Sequence, residues 1–274
     1  MAIDLAQSLP TIVSFWHGPM TWLERLSIAS FRRHGHDVEI YSYGPLEGFP
    51  DEAIRRDAAE ILPADQLRFY KGKGTPGVFS DRFRLCLLKQ GRGLYSDLDV
   101  YCVRPFANLP DYVMGYERPG SVNNAVLGMP ADAPLLDDLL SVFTTQGRPL
   151  LEPHLPIGRR LEVAARRLLG DAVPPEHMQF GATGPFALSH FVKARGLLAK
   201  VQPAPVFYPI PYENIPALMQ PGSSVDAAIA PKTLGVHLWR SQLTDRGRAG
   251  LPPPGPGSAL AELCRREGIV FANG

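Results

Sequence analysis

Apolar positions along this chain recur with two spacings, and the points where one gives way to the other lay out its elements. Residues 11–15 (Thr-Ile-Val-Ser-Phe) are β-rich, residues 22–34 carry Trp22, Leu23, Leu26, Ala29 and Ser30 at helical spacing, and residues 38–43 are β-rich again. The chain therefore opens as a βαβ unit. Gly44-Pro45 and Gly48-Phe49-Pro50 punctuate a loop, and residues 51–61 are expected to form a short helix. The next helix has readable ends: Thr75 can cap it, Pro76 suits its first position and Gly91 its left-handed exit. Strands are expected at 94–103, 112–117 and 122–129, helices at 132–145, 158–169 and 184–195, and later strands at 201–208 and 233–238. This alternation predicts an α/β fold with a mostly parallel central sheet flanked by helices, and ligands at the carboxyl ends of its strands. Residues 252–257, Pro-Pro-Pro-Gly-Pro-Gly, read as a stiff linker into a short helix at 258–267. The chain divides on this reading into a main domain, 1–250, and an appendage, 251–274.

One strand carries an unusual load. Leu94-Tyr95-Ser96-Asp97-Leu98-Asp99-Val100-Tyr101 sets two carboxylates among apolar neighbours. Burying even a neutral polar group without a partner costs roughly 2–7 kcal/mol, so something cationic is expected to sit on these acids. The strand repeat of two puts Asp97 and Asp99 on one side, where both can face a hard metal ion and the oxygens of a phosphorylated ligand. In the preceding helix Asp81 and Arg84 lie one turn apart on one face.

The order of these features, a Ser80-Asp81-x-x-Arg84 helix, a glycine break and an aromatic-x-Asp-x-Asp strand, resembles the Asp-x-Asp sugar-binding-region glycosyltransferases. These include the bacterial and fungal mannosyl- and galactosyltransferases of family 32 and, more distantly, the catalytic domain of the large clostridial glucosylating toxins. Val13-Ser14-Phe15-Trp16-His17-Gly18-Pro19 resembles the family's first-strand Trp-x-Gly segment, and Thr183-Gly184-Pro185 and Val236-His237-Leu238-Trp239 resemble its later landmarks, so residues 11–241 are covered in order. One departure stands out: Arg92 separates Gly91 from Gly93, where the family usually has adjacent glycines.

The resemblance implies a GT-A-like fold and a transferase that moves a sugar from a nucleotide-sugar donor (UDP- or GDP-linked) to a glycan, lipid or protein acceptor with retention of configuration, as in bacterial polysaccharide biosynthesis. It places Asp81 and Arg84 against the donor sugar, Asn124 near it, Trp16 under the nucleobase, Asp97 and Asp99 on the metal with His237 completing the shell, and Trp239 and Arg240 over the diphosphate. Two carboxylates and an imidazole suit Mn²⁺ better than an all-oxygen site would, with Mg²⁺ the other choice. Each residue has a plainer reading as well: salt-bridged acids for Asp97 and Asp99, a surface pair for Asp81 and Arg84, a core ring for Trp16, a satisfied polar group for His237 and a surface loop for Trp239 and Arg240.

Composition narrows the remaining classes. With 274 residues, 45% hydrophobic and 20% charged, the chain is long enough for a substantial core, and a net charge of +1 gives no signature of nucleic-acid binding. Cys86, Cys102 and Cys264 are odd in number and lack any Cys-x-x-Cys spacing, so they are expected as reduced thiols. No apolar run approaches the roughly 18 residues of a membrane span, and a cytoplasmic protein with at most peripheral contact with the inner membrane is expected. Lys71-Gly72-Lys73-Gly74 lacks the full Walker pattern and reads as a basic turn, Arg159, Arg160, Arg166 and Arg167 as a helix face, and His34-Gly35-His36 as a loop. The segment 216–247, rich in Pro, Gly and Ser, reads as a lid over the site. Two alternatives stay open. A haloacid-dehalogenase-type phosphatase would use the first Asp as nucleophile and need a later acidic pair, for which only Asp137-Asp138 is present. A non-catalytic sugar-nucleotide or glycan-binding protein would keep the fold alone.

Overall fold

The computed structural model describes residues 9–69, 75–144, 150–244 and 251–271. The Lys71–Gly74 turn, the end of the 132–145 helix and the last residues of the 216–247 segment lie outside them. The chain runs β1 (Ile12–Phe15), α1 (Trp22–Arg33), β2 (Val38–Ser42), β3 (Ile54–Asp57), α2 (Gly77–Lys89), β4 (Leu94–Ser96), β5 (Val100–Cys102), β6 (Val113–Arg118) and β7 (Ser121–Gly128). It continues as α3 (Pro134–Ser141), α4 (Ile157–Leu168), α5 (Pro185–Ala194), β8 (Gly235–His237), α6 (Arg240–Leu243) and α7 (Ala259–Arg266), with short 3-10 turns between.

Six strands form one sheet in the order β3-β2-β1-β4-β7-β6. The β3, β2, β1 and β4 strands are mutually parallel and β7 and β6 antiparallel, while β5 and β8 pair in a separate two-stranded ribbon. The result is the mostly parallel α/β architecture, with helices on both faces of the sheet, expected from the alternation of elements. Alternation along each strand explains why both faces are covered. Ile12, Ile40, Leu94 and Val126 point to one apolar layer, shared with α1, the ribbon and α7. Val13, Tyr41, Tyr95 and Leu127 point to the other, shared with α2, α3 and α5. Strands buried on both faces read as continuous apolar runs, as Ile12-Val13-Ser14-Phe15 does.

Local chemistry sets the ends of the helices nearest the site. The α1 helix starts in a capping box between Thr21 and Glu24 and ends with Arg32 and Arg33, which suit its negative pole. The α2 helix begins one residue later than expected. Pro76 is its cap residue and makes no side-chain bond, so Thr75 does not cap it. At its far end Gly91 has φ +63, and a Cβ on Gly93 would stand 2.4 Å from the Thr11 carbonyl oxygen, so both glycines are needed while Arg92 between them is exposed. The interrupted glycine pair thus turns the chain from α2 into β4.

Three expected elements differ. Residues 51–61 are not a helix: β3 takes 54–57 as an exposed edge strand beside β2, followed by a 3-10 turn. The expected strand at 201–208 is a 3-10 turn at Ala204–Val206, with Gln202 alone bridging to Gly115. The expected strand at 94–103 is two strands, β4 and β5, separated by a turn at residues 97–99. His36 has a function the loop reading did not anticipate. Its ring is fully buried and spans from the Pro10 carbonyl, 2.9 Å from Nδ1, to the Phe106 amide, which donates to Nε2 at 3.0 Å.

The α7 helix docks against α1 and the 3-10 segment Tyr212–Met219, with a link to the ribbon just beyond its end. Leu260, Leu263 and Cys264 enter the apolar layer beneath α1. Glu267, just after α7, receives Arg33 Nε at 2.8 Å and the Tyr101 hydroxyl at 2.7 Å, and Trp22 Nε1 donates to the Pro252 carbonyl at 3.0 Å. The three cysteines are free thiols. Among the described residues no helix is long and apolar enough to cross a membrane.

Candidate functional site

The break between β4 and β5 creates the site. Asp97 and Asp99 flank the buried Leu98 in a turn, so they converge through that turn and not through the two-residue repeat of one strand. The Asp97 amide is tied to the Ala125 carbonyl of β7 at 2.7 Å. On the other side β5 pairs with β8 with Val100 opposite His237, and the Leu238 amide donates to the Asp99 carbonyl at 2.7 Å. That register brings a histidine from more than a hundred residues away to the acid pair. Asp97, Asp99 and His237 each offer one ligand atom, and these atoms lie within 4.8 Å of one another, close enough for a single cation.

The two acids have different surroundings. Asp97 is held by Arg84, whose Nη2 lies 3.3 Å from Oδ1, and by the Tyr95 hydroxyl, which donates to Oδ1 at 2.9 Å. Asp99 faces His237, with Nε2 3.1 Å from Oδ1, and accepts the Arg240 backbone amide on Oδ2 at 2.7 Å. Burial is the largest influence on Asp97 and raises its carboxyl; Arg84 opposes this, the Asp99 charge adds to the rise, and the carboxyl stays above the ordinary aspartate value. Burial pushes Asp99 up too, but His237 and then the Arg240 amide and guanidinium outweigh it and hold Asp99 below the ordinary value. The two neighbouring carboxyls are therefore displaced in opposite directions.

Behind Asp97 lies a polar core on α2. Arg84 is buried, donates to the Asn124 carbonyl at 2.6 Å, lies 3.3 Å from Asp81 and sits 4.5 Å over the Tyr95 ring. Burial works against its charge, but Asp97, Tyr95 and Asp81 together raise it, so it is a fixed cation. Asp81 accepts Asn124 Nδ2 at 2.9 Å and the Thr183 hydroxyl at 2.7 Å. The next residue explains the Thr-Gly-Pro landmark. A Cβ on Gly184 would stand 2.9 Å from Asn124 Nδ2 and 3.0 Å from Asp81 Oδ2, so only glycine lets α5 begin against this pair. Asn123, by contrast, turns away to Glu117, donating through Nδ2 at 2.7 Å.

In front lies the segment after β8. Trp239 adopts a left-handed backbone, φ 38 and ψ 79, and its ring lies 4.3 Å from that of His237 and 5.8 Å from that of Tyr208. His237 is 5% exposed, and its Nδ1 makes no hydrogen bond among the described residues. Arg240 follows at the start of α6. Its guanidinium carbon lies 5.7 Å from the Trp16 ring at the carboxyl end of β1.

All nine residues singled out from the sequence thus meet in one connected cluster. Asn124, Asp81 and Arg84 lead to Asp97, the metal-competent group follows, and Asp99 leads through Arg240 to Trp16, with Trp239 on His237. A solved structure, the PaToxG glycosyltransferase, is similar over 70% of this chain and 72% of that one, at 14% identity and a TM-score of 0.40. No protein-family model and no curated protein matches the chain. The chemistry of the site therefore rests on its own geometry.

Other sequence features lie elsewhere. Asp137 and Asp138, the acidic pair a phosphatase would need, are engaged on the surface by Lys89 and Arg195. Arg159, Arg166 and Arg167 pair with Glu162, Asp171 and Glu152, and Arg160 donates to backbone carbonyls before α4, as a helix face does. Sequence reasoning missed Tyr95, Thr183 and Glu24 as members of the cluster. Tyr95 and Thr183 stood inside recognised motifs, but their hydroxyls gain meaning only once Asp97 and Asp81 are placed beside them.

Proposed function

We propose that the protein is a metal-dependent glycosyltransferase that moves a sugar from a nucleoside-diphosphate sugar to an acceptor hydroxyl with retention of configuration. The observation that carries this reading is the Asp97-Asp99-His237 group, flanked by Arg84 on one side and by Arg240 beside an aromatic ring on the other. A divalent ion fits these donors: two carboxylates supply its charge, and the imidazole of the buried His237, which offers one ring nitrogen to the group, favours Mn²⁺ over Mg²⁺. The ion would act as a Lewis acid that stabilises the departing nucleoside diphosphate.

The chain's own residues have separate tasks on this reading. Trp16 stacks on the base, where such contacts are worth roughly 1–3 kcal/mol. Arg240 neutralises diphosphate charge as the bond to the anomeric carbon breaks. Asp81 and Arg84, with Asn124, form the floor against which the sugar hydroxyls are oriented, and proximity brings the acceptor oxygen to the anomeric carbon. That oxygen forms the new glycosidic bond, the diphosphate leaves with the electron pair of the old one, and the acceptor proton passes to solvent or to the leaving diphosphate.

The acceptor class is a glycan, lipid or protein, and the setting is cytoplasmic, at or near the inner membrane. A donor screen tests the reading: release of nucleoside diphosphate from UDP- and GDP-sugars is measured with Mn²⁺. Turnover of at least one donor, abolished by chelation, is expected. Failure of every donor, together with failure of UDP and GDP to bind, would leave a non-catalytic glycan-binding fold as the better reading.

A further inference from the structure

The most completely buried carboxylate beside this site belongs to none of the motifs. Glu24, in the first turn of α1, is 0% exposed. Its two oxygens are used differently. Oε2 accepts the Thr21 amide and the Thr21 hydroxyl, each at 2.6 Å, which closes the capping box of α1. Oε1 accepts Arg240 Nε at 2.8 Å, across 216 residues of sequence.

A capping box does not require the second contact, nor even the charge. Glutamine serves at this helix position as glutamate does, because one oxygen is enough to receive the backbone amide. Burying a full carboxylate instead costs several kcal/mol unless a cation faces it, so the charge at residue 24 is explained by Arg240 and not by the cap. Arg240 in turn is fixed from two ends: its backbone amide by Asp99 and its Nε by Glu24. Among the described residues neither of its terminal nitrogens donates to a protein acceptor, and the guanidinium stands beside the Trp16 ring. Nε is thus consumed by the protein, and the two terminal nitrogens are left as a preset pair of donors between an aromatic platform and the acid pair.

We infer that Glu24 is a positioning residue that holds the Arg240 guanidinium ready for the oxygens of a nucleoside diphosphate. The inference rests on the glycosyltransferase reading and extends it to a residue of α1 that touches no ligand. Binding by a donor fixed in advance avoids ordering a long side chain at the moment of association. Glu24 thereby couples the helix that follows β1, and carries the Trp16 segment before it, to the segment that follows β8.

Calorimetry of UDP and of GDP, each with Mn²⁺, on the wild type, Glu24→Gln, Arg240→Ala and the double variant tests this. Glu24→Gln keeps an oxygen for the cap, but its amide cannot satisfy Thr21 and Arg240 together. It should weaken binding of the nucleotide roughly tenfold, as expected for loss of a charged hydrogen bond, with Mn²⁺ alone bound as before. In the Arg240→Ala background the same substitution should cause no further loss, because two residues acting through one contact are not additive. Thr21→Ala, which weakens the cap and leaves the ion pair, should lower the melting temperature without changing nucleotide affinity.

Equal affinity of Glu24→Gln and wild type, independent losses that multiply in the double variant, or parallel loss of Mn²⁺ binding would each overturn the assignment of Glu24. A wild type that binds neither nucleotide overturns the glycosyltransferase reading, and this inference with it. The two failures are told apart by the wild-type titration alone.

Discussion

Asp99 holds Arg240 by its backbone: the Arg240 amide donates to Oδ2 at 2.7 Å, while the guanidinium is directed to Glu24. Removing the Arg240 side chain therefore leaves Asp99 with this partner, whereas changing Asp99 disturbs the whole segment after β8. Asp97→Asn and Asp99→Asn should each lower Mn²⁺-dependent turnover by about two orders of magnitude or more, since each removes charge from the metal. Circular dichroism should show the fold retained. Full activity in both variants would remove the metal centre from consideration.

The unequal surroundings of the two acids predict a pH dependence with a definite sign. A metal binds the carboxylate form, and burial holds Asp97 above the ordinary aspartate value, so protons compete for it at a higher pH than they would for a free side chain. Mn²⁺ affinity should decline as pH falls through the raised Asp97 value, before Asp99, held below the ordinary value, is protonated. Titrations of Mn²⁺ at a series of pH values check this, and Asp97→Asn should lose most of the upper part of the dependence. A flat profile down to the ordinary aspartate range would contradict it.

Arg84 and Trp16 should separate sugar recognition from nucleotide recognition. Trp16→Ala is expected to weaken UDP or GDP and the intact sugar nucleotide alike. Arg84→Lys is expected to weaken the sugar nucleotide more than the free diphosphate, since a single ammonium cannot reach Asp81, Asp97 and the Asn124 carbonyl together. Arg84→Ala should also destabilise the protein by about 3–5 kcal/mol, because it leaves buried acids without their cation. Comparative calorimetry and thermal melts distinguish the two outcomes.

The 216–244 stretch provides a test of closure. Leu218, Val225, Val236 and Leu238 anchor it in the core, while Trp239 and Arg240 stand at the site. If it orders over bound ligand, hydrogen exchange at amides on either side of β8 should slow by about tenfold or more with Mn²⁺ and UDP or GDP at saturation. Unchanged exchange at saturation would mean that this segment is already closed without ligand.

Much of this arrangement was legible from the chain, and the reasons are local. The first βαβ unit declared itself because β1 and β2 are β-rich apolar runs and Trp22, Leu23, Leu26, Ala29 and Ser30 of α1 fall at helical spacing. The acid pair was visible because carboxylates are rare in apolar runs. Its geometry was not, because Leu98 is apolar and buried and so masks the turn that separates β4 from β5. The edge strand at 54–57 was missed for the opposite reason: all its residues are exposed, so no two-residue alternation marks it. Thr21-x-x-Glu24 could be read as a helix start, but the other half of its meaning, Arg240, lies where only the folded chain brings it.

The left-handed Trp239 makes the join between β8 and α6 a loaded joint. A bulky side chain in that conformation costs roughly 1–3 kcal/mol, and here ring contacts with His237, Tyr208 and Tyr212 hold it in place. The next peptide carries the amide that points at Asp99. The aim of that amide is therefore set by how the aromatic ring of the preceding residue packs, and a change that merely loosens the ring would let the backbone relax and turn the donor off its acid. Glycine at this position would be comfortable where tryptophan is strained, yet it would give up the ring that enforces the angle. Local ease and a correctly aimed site are in opposition at residue 239, and the fold has settled in favour of the site.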